Sequence, residues 1–291
     1  MDKLQPTEEQ IKKIIDLALA EDTGAGDITS RILIPADLTG RAAIVAREEG
    51  ILAGGDIAKL VFFRVEPSIK VELLIPDGKK LKAEDRVATI SGNISAILKA
   101  ERVALNFLSR LSGIATETAK YVTKVKGTSA IITDTRKTAP GMRLLDKYAV
   151  RVGGGYNHRF HLGDGVLIKD THIAALRALD MSLADIVAKA KKNDPEDLKI
   201  EIEVNTIAEA IEAANAGADI VMLDNMTPDE IKRVVELMPT KVRTEASGGI
   251  KLENVQGVAM TGVNAISIGA ITHSTRALDF SLELEPKTNN P

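Results

Sequence analysis

The 291-residue sequence contains no cysteine, so disulfides, thiolate metal sites and cysteine nucleophiles are excluded. Aromatic residues make up only 3% of the chain, which leaves few platforms for stacking bases. A pI near 5.9 gives no general basic surface for nucleic acid. No apolar run approaches the ~20 residues that a membrane-spanning helix requires. The opening stretch MDKLQPTEEQIKKIIDLALAED is polar and then amphipathic, without an apolar signal core. The expectation is a cytoplasmic protein with neither a membrane nor a nucleic-acid partner. No serine or threonine stands in a recognisable nucleophile elbow, so covalent catalysis has no clear candidate. What remains is an ordinary globular composition, 44% hydrophobic and 27% charged. The length suits one large or two moderate domains.

Taken in order, the chain begins with a helix signal. Thr7 can cap it, Glu8 and Glu9 suit its positive end, and Gln10 stands three residues after the cap. Ile11, Ile14, Ile15, Ala18 and Leu19 follow at helical spacing. The Gly- and Asp-rich segment EDTGAGDITS, residues 21–30, predicts a loop. Short apolar runs at Arg41–Arg47, Val71–Ile75 and Val87–Ser91 predict strands, with a turn at Pro76-Asp77-Gly78 and another at Gly92-Asn93. A longer helix is expected over Ile97–Ser112, with Gly113 placed to end it. Arg102 and Arg110 lie off its apolar face and read as surface arginines.

From residue 130 the pattern changes to alternating strands and helices. Strand-like runs occur at Ala130–Asp134, Ala149–Val152, Val166–Lys169, Lys199–Val204, Asp219–Leu223, Lys241–Glu245 and Ala265–Ile268. Amphipathic helices such as Thr206–Ala216 and Pro228–Leu237 separate the later runs. Repeated βα units give parallel strands with right-handed crossovers, and seven runs suit a (β/α) barrel better than one dinucleotide-binding unit.

Within this half, residues 134–172 carry seven Lys or Arg against four Asp, although the whole chain has a formal net charge of −3. Such a concentration of cations around Gly-rich turns points to an anionic ligand. In α/β barrels ligands bind where the C-terminal strand ends converge. Here those ends carry Thr135-Arg136-Lys137, the Gly153–Arg159 loop, Lys169-Asp170, Glu203, Asp224-Asn225, Ser247-Gly248-Gly249 and Gly269. Arg136, Lys137, Arg159 and Lys169 supply positive charge, with His158 as an adaptable donor. Glu203 and Asp224 suggest a hard divalent ion such as Mg²⁺, although Glu201 shares the strand face with Glu203 and the pattern leaves the choice between them open. A histidine-bound metal is not expected, since His158 and His161 lie in a loop without partnering acids. Backbone N–H groups in Ser247-Gly248-Gly249 can cradle a phosphate, and Gly269 ends the last strand in a similar setting.

The run TRKTAPGMRLLDKYAVRVGGGYNHRFHLGDGVLIKD resembles the quinolinate phosphoribosyltransferases. EDTGAGDITS, ERVALNFLSRLSGIAT, IEIEVNT, GADIVMLDNM, EASGGI and DFSLEL extend the resemblance over nearly the whole chain. It implies decarboxylating transfer of phosphoribose from phosphoribosyl pyrophosphate to quinolinate, with Mg²⁺, giving nicotinate mononucleotide, pyrophosphate and CO2 for NAD biosynthesis. It assigns Thr135, Arg136, His158, Arg159 and Lys169 to quinolinate, together with Arg102 from the neighbouring subunit of a homodimer. Lys137, Ser247, Gly248, Gly249, Gly269 and His273 fall to phosphoribosyl pyrophosphate. Lys137, Glu203 and Asp224 are the implied catalytic residues, and Glu203 and Asp224 the metal ligands. The implied fold is an N-terminal α/β sandwich over residues 1–115, completed by the tail 277–291, joined to an open seven-stranded α/β barrel over 116–276. Two other readings are a transferase of the same fold acting on nicotinate, and a non-catalytic anion-binding relative of the kind associated with molybdate uptake. Assembly beyond the dimer stays open.

Overall fold

The cap signals at the start of the chain are satisfied. In the computed structural model, which describes residues 7–194, 196 and 198–285, helix α1 (Glu8–Thr23) opens on a capping box. Thr7 Oγ1 accepts the Gln10 N–H at 3.3 Å while Gln10 Oε1 accepts the Thr7 N–H at 3.0 Å. The helix runs into the expected loop as far as Thr23. A second helix, α2 (Ile28–Leu33), starts inside that loop, because Asp27 accepts the Ser30 N–H and acts as its cap. Strands β1 (Thr39–Ala46) and β2 (Gly50–Ile51), helix α3 (Gly55–Val65), and strands β3 (Lys70–Leu73), β4 (Lys80–Leu81) and β5 (Arg86–Asn93) follow. Gly92-Asn93 ends β5 rather than forming a turn, and Gly92 pairs with Gly40. Next come α4 (Ile94–Lys124), β6 (Ile131–Thr133), α5 (Arg143–Val152), β7 (Val166–Ile168), α6 (Asp170–Arg177), α7 (Leu183–Asn193) and β8 (Ile200–Val204). The described chain closes with α8 (Ile207–Asn215), β9 (Ile220–Asp224), α9 (Pro228–Leu237), β10 (Arg243–Ser247), α10 (Val255–Ala259), β11 (Ala265–Ser267), α11 (Ala270–His273) and β12 (Phe280–Glu285).

Two compact units divide the chain. The first takes the chain through Ala119, Thr138–Gly154 and the chain from Ile271 on; the second takes Lys120–Lys137 and Gly155–Ala270. The first holds an antiparallel sheet in the order β12-β1-β5-β3. Its central strand β1 is buried almost throughout, and α3 packs beside β3, giving the α/β sandwich. β12, from the expected tail, pairs along β1 from Arg41↔Glu285 to Ala46↔Phe280; residues 286–291 of that tail lie outside the described residues. The turn at Pro76-Asp77-Gly78 also has a second use. Asp77 accepts the N–H groups of Gly54 and Gly55 and the Tyr148 hydroxyl at 2.6–2.9 Å, which caps α3 from a distance in sequence.

Helix α4 does not end at Gly113; it continues to Lys124. A Cβ at Gly113 would collide with the backbone oxygen of Arg276, so this glycine admits close chain passage and is no terminator. Arg110 is likewise not a free surface arginine. Its Nε and Nη2 donate to both carboxylate oxygens of Asp146 at 2.8 and 2.7 Å, and Asp146 is fully buried. Arg110→Ala leaves that carboxylate uncompensated and should cost about 3–5 kcal/mol. The expected readout is a lower urea midpoint, with Arg110→Leu/Asp146→Leu recovering most of the loss.

The second unit holds the parallel sheet, in the order β6-β11-β10-β9-β8-β7. That is the cyclic strand order of an α/β barrel with six strands, not the seven expected. Ala149–Val152 is the last turn of α5, where Leu145, Ala149 and Val150 are buried at helical spacing. A run of four residues cannot distinguish a strand from the end of an amphipathic helix. The seventh position is reduced to one parallel bridge, Thr133↔Tyr156, in which Tyr156 N donates to Ile132 O and Asp134 N to Tyr156 O. The sheet is open between this bridge and β7. No helix among the described residues is long and apolar enough to cross a membrane.

Candidate active site

The parallel unit brings its strand-end side chains to one mouth. Thr135, Arg136 and Lys137 follow β6, and the Thr135 hydroxyl accepts the Lys137 N–H at 3.0 Å. Arg159 donates from Nη1 to Gly165 O, and burial together with the neighbouring Arg136 charge lowers its pKa. The two guanidinium groups therefore stand close enough to repel, a cost that a doubly anionic ligand would relieve. Lys169, directly after β7, places Nζ 3.6 Å from Glu203 Oε2.

Glu203 and Asp224 stand at the ends of adjacent strands β8 and β9. Burial raises the Glu203 pKa, the Lys169 charge opposes it, and the Asp224 charge raises it further. Both carboxylates line a hollow of about 120 Å³ with Asp170, Asn205 and Glu209. After β10 the chain turns through Gly248 and Gly249 with φ of +80° and +62°, which L side chains rarely adopt. A Cβ on Gly248 would strike the Asn225 side chain, so the turn lies tightly against the Asp224-Asn225 corner. Gly269 follows β11.

Two family models match the chain: the C-terminal domain of quinolinate phosphoribosyl transferase over residues 114–283 and its N-terminal domain over 27–112. A probable nicotinate-nucleotide pyrophosphorylase [carboxylating] of Bacillus subtilis is 43% identical over 94% of this chain and 93% of its own length. A mitochondrial quinolinate phosphoribosyltransferase [decarboxylating] of Nicotiana tabacum is 41% identical over 94% of this chain and 82% of its own. The solved nicotinate-nucleotide pyrophosphorylase from Francisella tularensis superposes with a TM-score of 0.90 at 40% identity, covering 98% of this chain and all of that one. The chain belongs to the quinolinate phosphoribosyltransferase family.

Beneath the mouth, the chain holds polar residues that the sequence left unassigned. Glu201 on β8 and Glu245 on β10, with β9 between them, both reach His158. They meet because alternate strands of a barrel contribute to one interior layer. Glu201 Oε2 lies 3.0 Å from His158 Nε2 and Glu245 Oε1 3.7 Å. His158 and His161 are not without acids, since His161 Nε2 also meets Asp164 Oδ1 at 2.6 Å. Asp134, fully buried, accepts the His158 N–H at 2.9 Å and an Asn157 side-chain N–H at 2.6 Å, fixing this loop to the end of β6. Three donor atoms of His158, Glu201 and Glu245 fall within 4.8 Å of one another, a tighter grouping than sequence spacing suggested. The signal that could have found it was an acid two residues before a strand-end site residue on each of two strands: Glu201 before Glu203, and Glu245 before Ser247.

Arg102 and His273 belong to the first unit. Arg102 is exposed on α4, and His273 Nδ1 lies 2.6 Å from the Ser274 hydroxyl. His172 Nδ1 accepts the Lys169 N–H at the start of α6, a local role.

Burial, and next the Glu201 charge, push the Glu245 pKa up to about 7, with His158 opposing. A folded-state pKa above the unfolded value means that the folded protein binds the proton more readily. Stability therefore declines as pH rises from about 4.5 through about 7, and the penalty is complete above that. Thermal midpoints should fall between about pH 5 and pH 8, and Glu245→Gln should flatten that difference.

Proposed function

We propose that the mouth of the parallel sheet is where this chain carries out its reaction, the decarboxylating transfer of phosphoribose from phosphoribosyl pyrophosphate to quinolinate. The products are nicotinate mononucleotide, pyrophosphate and CO2, in the de novo route to NAD. One observation carries the placement: the arginine pair Arg136/Arg159 and the carboxylate pair Glu203/Asp224 occupy the same set of strand ends, with Lys169 reaching Glu203. Cations suit a pyridine dicarboxylate, and acids suit the positive charge that develops on the ribose as pyrophosphate leaves.

In this reading Arg136, Arg159 and Lys169, with Thr135 beside them and His158 behind them, hold and orient quinolinate, pointing its ring nitrogen at the sugar. Lys137 offsets charge on the departing pyrophosphate. Glu203 and Asp224 face the oxocarbenium-like sugar. Alkylation of the ring nitrogen makes the pyridinium an electron sink for the C2 carboxylate, so CO2 leaves without an organic cofactor. Ser247, Gly248, Gly249 and Gly269 receive the 5′-phosphate through backbone N–H groups, an arrangement supported by the two successive left-handed glycines.

The Glu203/Asp224 corner fits Mg²⁺: its donors are hard oxygens, and like charge helps raise the Glu203 pKa. Bound there, Mg²⁺ would supply charge neutralisation for pyrophosphate oxygens. A homodimer in which Arg102 enters the neighbouring subunit's site is supported by its exposure and by the exposed apolar Ile28, Ile32 and Leu33 of α2. The cytoplasm is the proposed location.

The direct test supplies quinolinate, phosphoribosyl pyrophosphate and Mg²⁺ and follows nicotinate mononucleotide and CO2 together. Both should appear in equal amounts, and nicotinate should not replace quinolinate. Absence of product would favour a non-catalytic anion-binding protein. Shared sites are tested by mixing Arg102→Ala with Glu203→Ala protein: reassortment should raise activity well above that of either variant alone.

A further inference from the structure

Glu201 and Glu245 are about nineteen-twentieths buried, at 5% and 4% exposure, and the reaction just described gives neither a task. Oε1 of each lacks a hydrogen-bond partner. Interior carboxylates left partly unsatisfied weaken a fold, so their presence needs a reason other than stability. The reason lies in what they touch. The Nδ1 atom of His158 accepts the Arg159 backbone N–H at 2.9 Å. An accepting Nδ1 carries no proton, so the ring proton sits on Nε2, which donates to Glu201 and faces Glu245. Both ring nitrogens are thus committed to the protein. Asp134 secures the same segment through the His158 N–H.

We propose that Glu245, acting with Glu201, is a positioning residue for dicarboxylate recognition: Glu201 accepts the His158 Nε2–H, Glu245 faces the same nitrogen at 3.7 Å, and His158 Nδ1 accepts the Arg159 backbone N–H and so sets the Arg159 guanidinium beside Arg136. The need for such a brace is electrostatic. Arg136 and Arg159 repel each other before a ligand arrives, and Glu201 supplies part of the offsetting charge on Arg159. A segment held only by loop contacts would yield to that repulsion; one pinned to β8 through Glu201 and to the end of β6 through Asp134, with Glu245 of β10 facing the ring, keeps its spacing. Outer partners that fix a ring's tautomer and direction commonly tune the group that meets the ligand.

The proposal rests on Arg136 and Arg159 as the quinolinate-binding cations. Glu245→Leu, measured in the full-length enzyme with quinolinate, phosphoribosyl pyrophosphate and Mg²⁺, should raise the quinolinate KM by about tenfold, within the range for lost outer partners. Glu245→Gln should do less, the phosphoribosyl pyrophosphate KM should stay within about twofold, and kcat at saturation should change little. Glu201→Gln/Glu245→Gln should cost no more than the worse single change, because both act through one ring. Thermal stability at about pH 8 should hold or rise in Glu245→Gln, the opposite of a structural role. An unchanged quinolinate KM in the folded variants, or an equal rise for both substrates, overturns the proposal. A second measurement does not depend on the variants folding. In ¹⁵N-histidine-labelled native enzyme, assigned with His158→Asn, His158 should be the Nε2–H tautomer; a protonated Nδ1 breaks the chain of contacts and ends the proposal. If Arg136→Ala also leaves the quinolinate KM unaltered, the underlying site assignment has failed; if only the Glu245 variants do, the brace alone has.

Discussion

Glu203→Ala or Asp224→Ala lowers kcat/KM by about 10²–10³-fold, the scale for removing one preorganised group that meets charge developing in a transition state. The two carboxylates end adjacent strands, and the Asp224 charge contributes to the raised Glu203 pKa. In the proposed reaction they work as one unit, so the double variant should fall far short of the product of the single losses. Each single variant should also raise the Mg²⁺ concentration needed for half-maximal rate. The pH profile gives an independent check. Ionised Glu203 is the working form in the proposed reaction, and its pKa is raised first by burial. Activity on the acid side should therefore fall at higher pH than for an ordinary carboxylate. Asp224→Asn removes a like charge and should shift that acid limb downward, while Lys169→Met removes an opposing charge and should shift it upward. Rate measurements across pH in the three proteins decide this, and limbs that do not move would remove Glu203 from the chemistry.

Arg136→Ala raises the quinolinate Kd by about 10²-fold or more, since a desolvated charge pair is worth roughly 2–5 kcal/mol, while binding of phosphoribosyl pyrophosphate stays within about threefold. Arg136 stands near a half-buried Arg159 whose pKa is lowered first by burial and then by the Arg136 charge, and Glu201 and Asp164 offset only part of that cost. Arg136→Lys should recover part of the loss, because an ammonium keeps the charge but not the planar two-pronged donor. Calorimetry with each ligand separately is the measurement. Equal weakening for both ligands would undo the assignment of Arg136 to quinolinate.

Much of the fold was legible because it depends on local signals. The capping boxes at Thr7 and Thr227 are side-chain-to-backbone bonds between residues three apart, and both form where the sequence placed helix starts. Six of the seven strand-like runs are strands, lying between helices whose period is plain. The seventh was not legible: Ala149–Val152 has the composition of a strand, but burial of Leu145, Ala149 and Val150 along one face makes it helix. Gly113 misled for a related reason. A glycine after a helical run reads as a stop, yet here it serves a chain segment more than 160 positions later, at Arg276.

The candidate site divides along the same line. The sequence by itself determined which chemical groups stand at the strand ends: Arg136, Lys137, Lys169, Glu203, Asp224 and the glycines at 248, 249 and 269. It could do so because strand direction in repeated βα units fixes which end of each strand reaches the mouth. Only the tertiary structure decided what lies one layer below. Glu201 and Glu245 are separated by 44 positions and by a whole strand, and His158 sits in a loop that reads as free of acids. Their meeting depends on how strongly the sheet curls, a property of all its strands together. An acid two residues before a strand-end site residue looks redundant in sequence; curling of the sheet brings Glu201 and Glu245 together at His158.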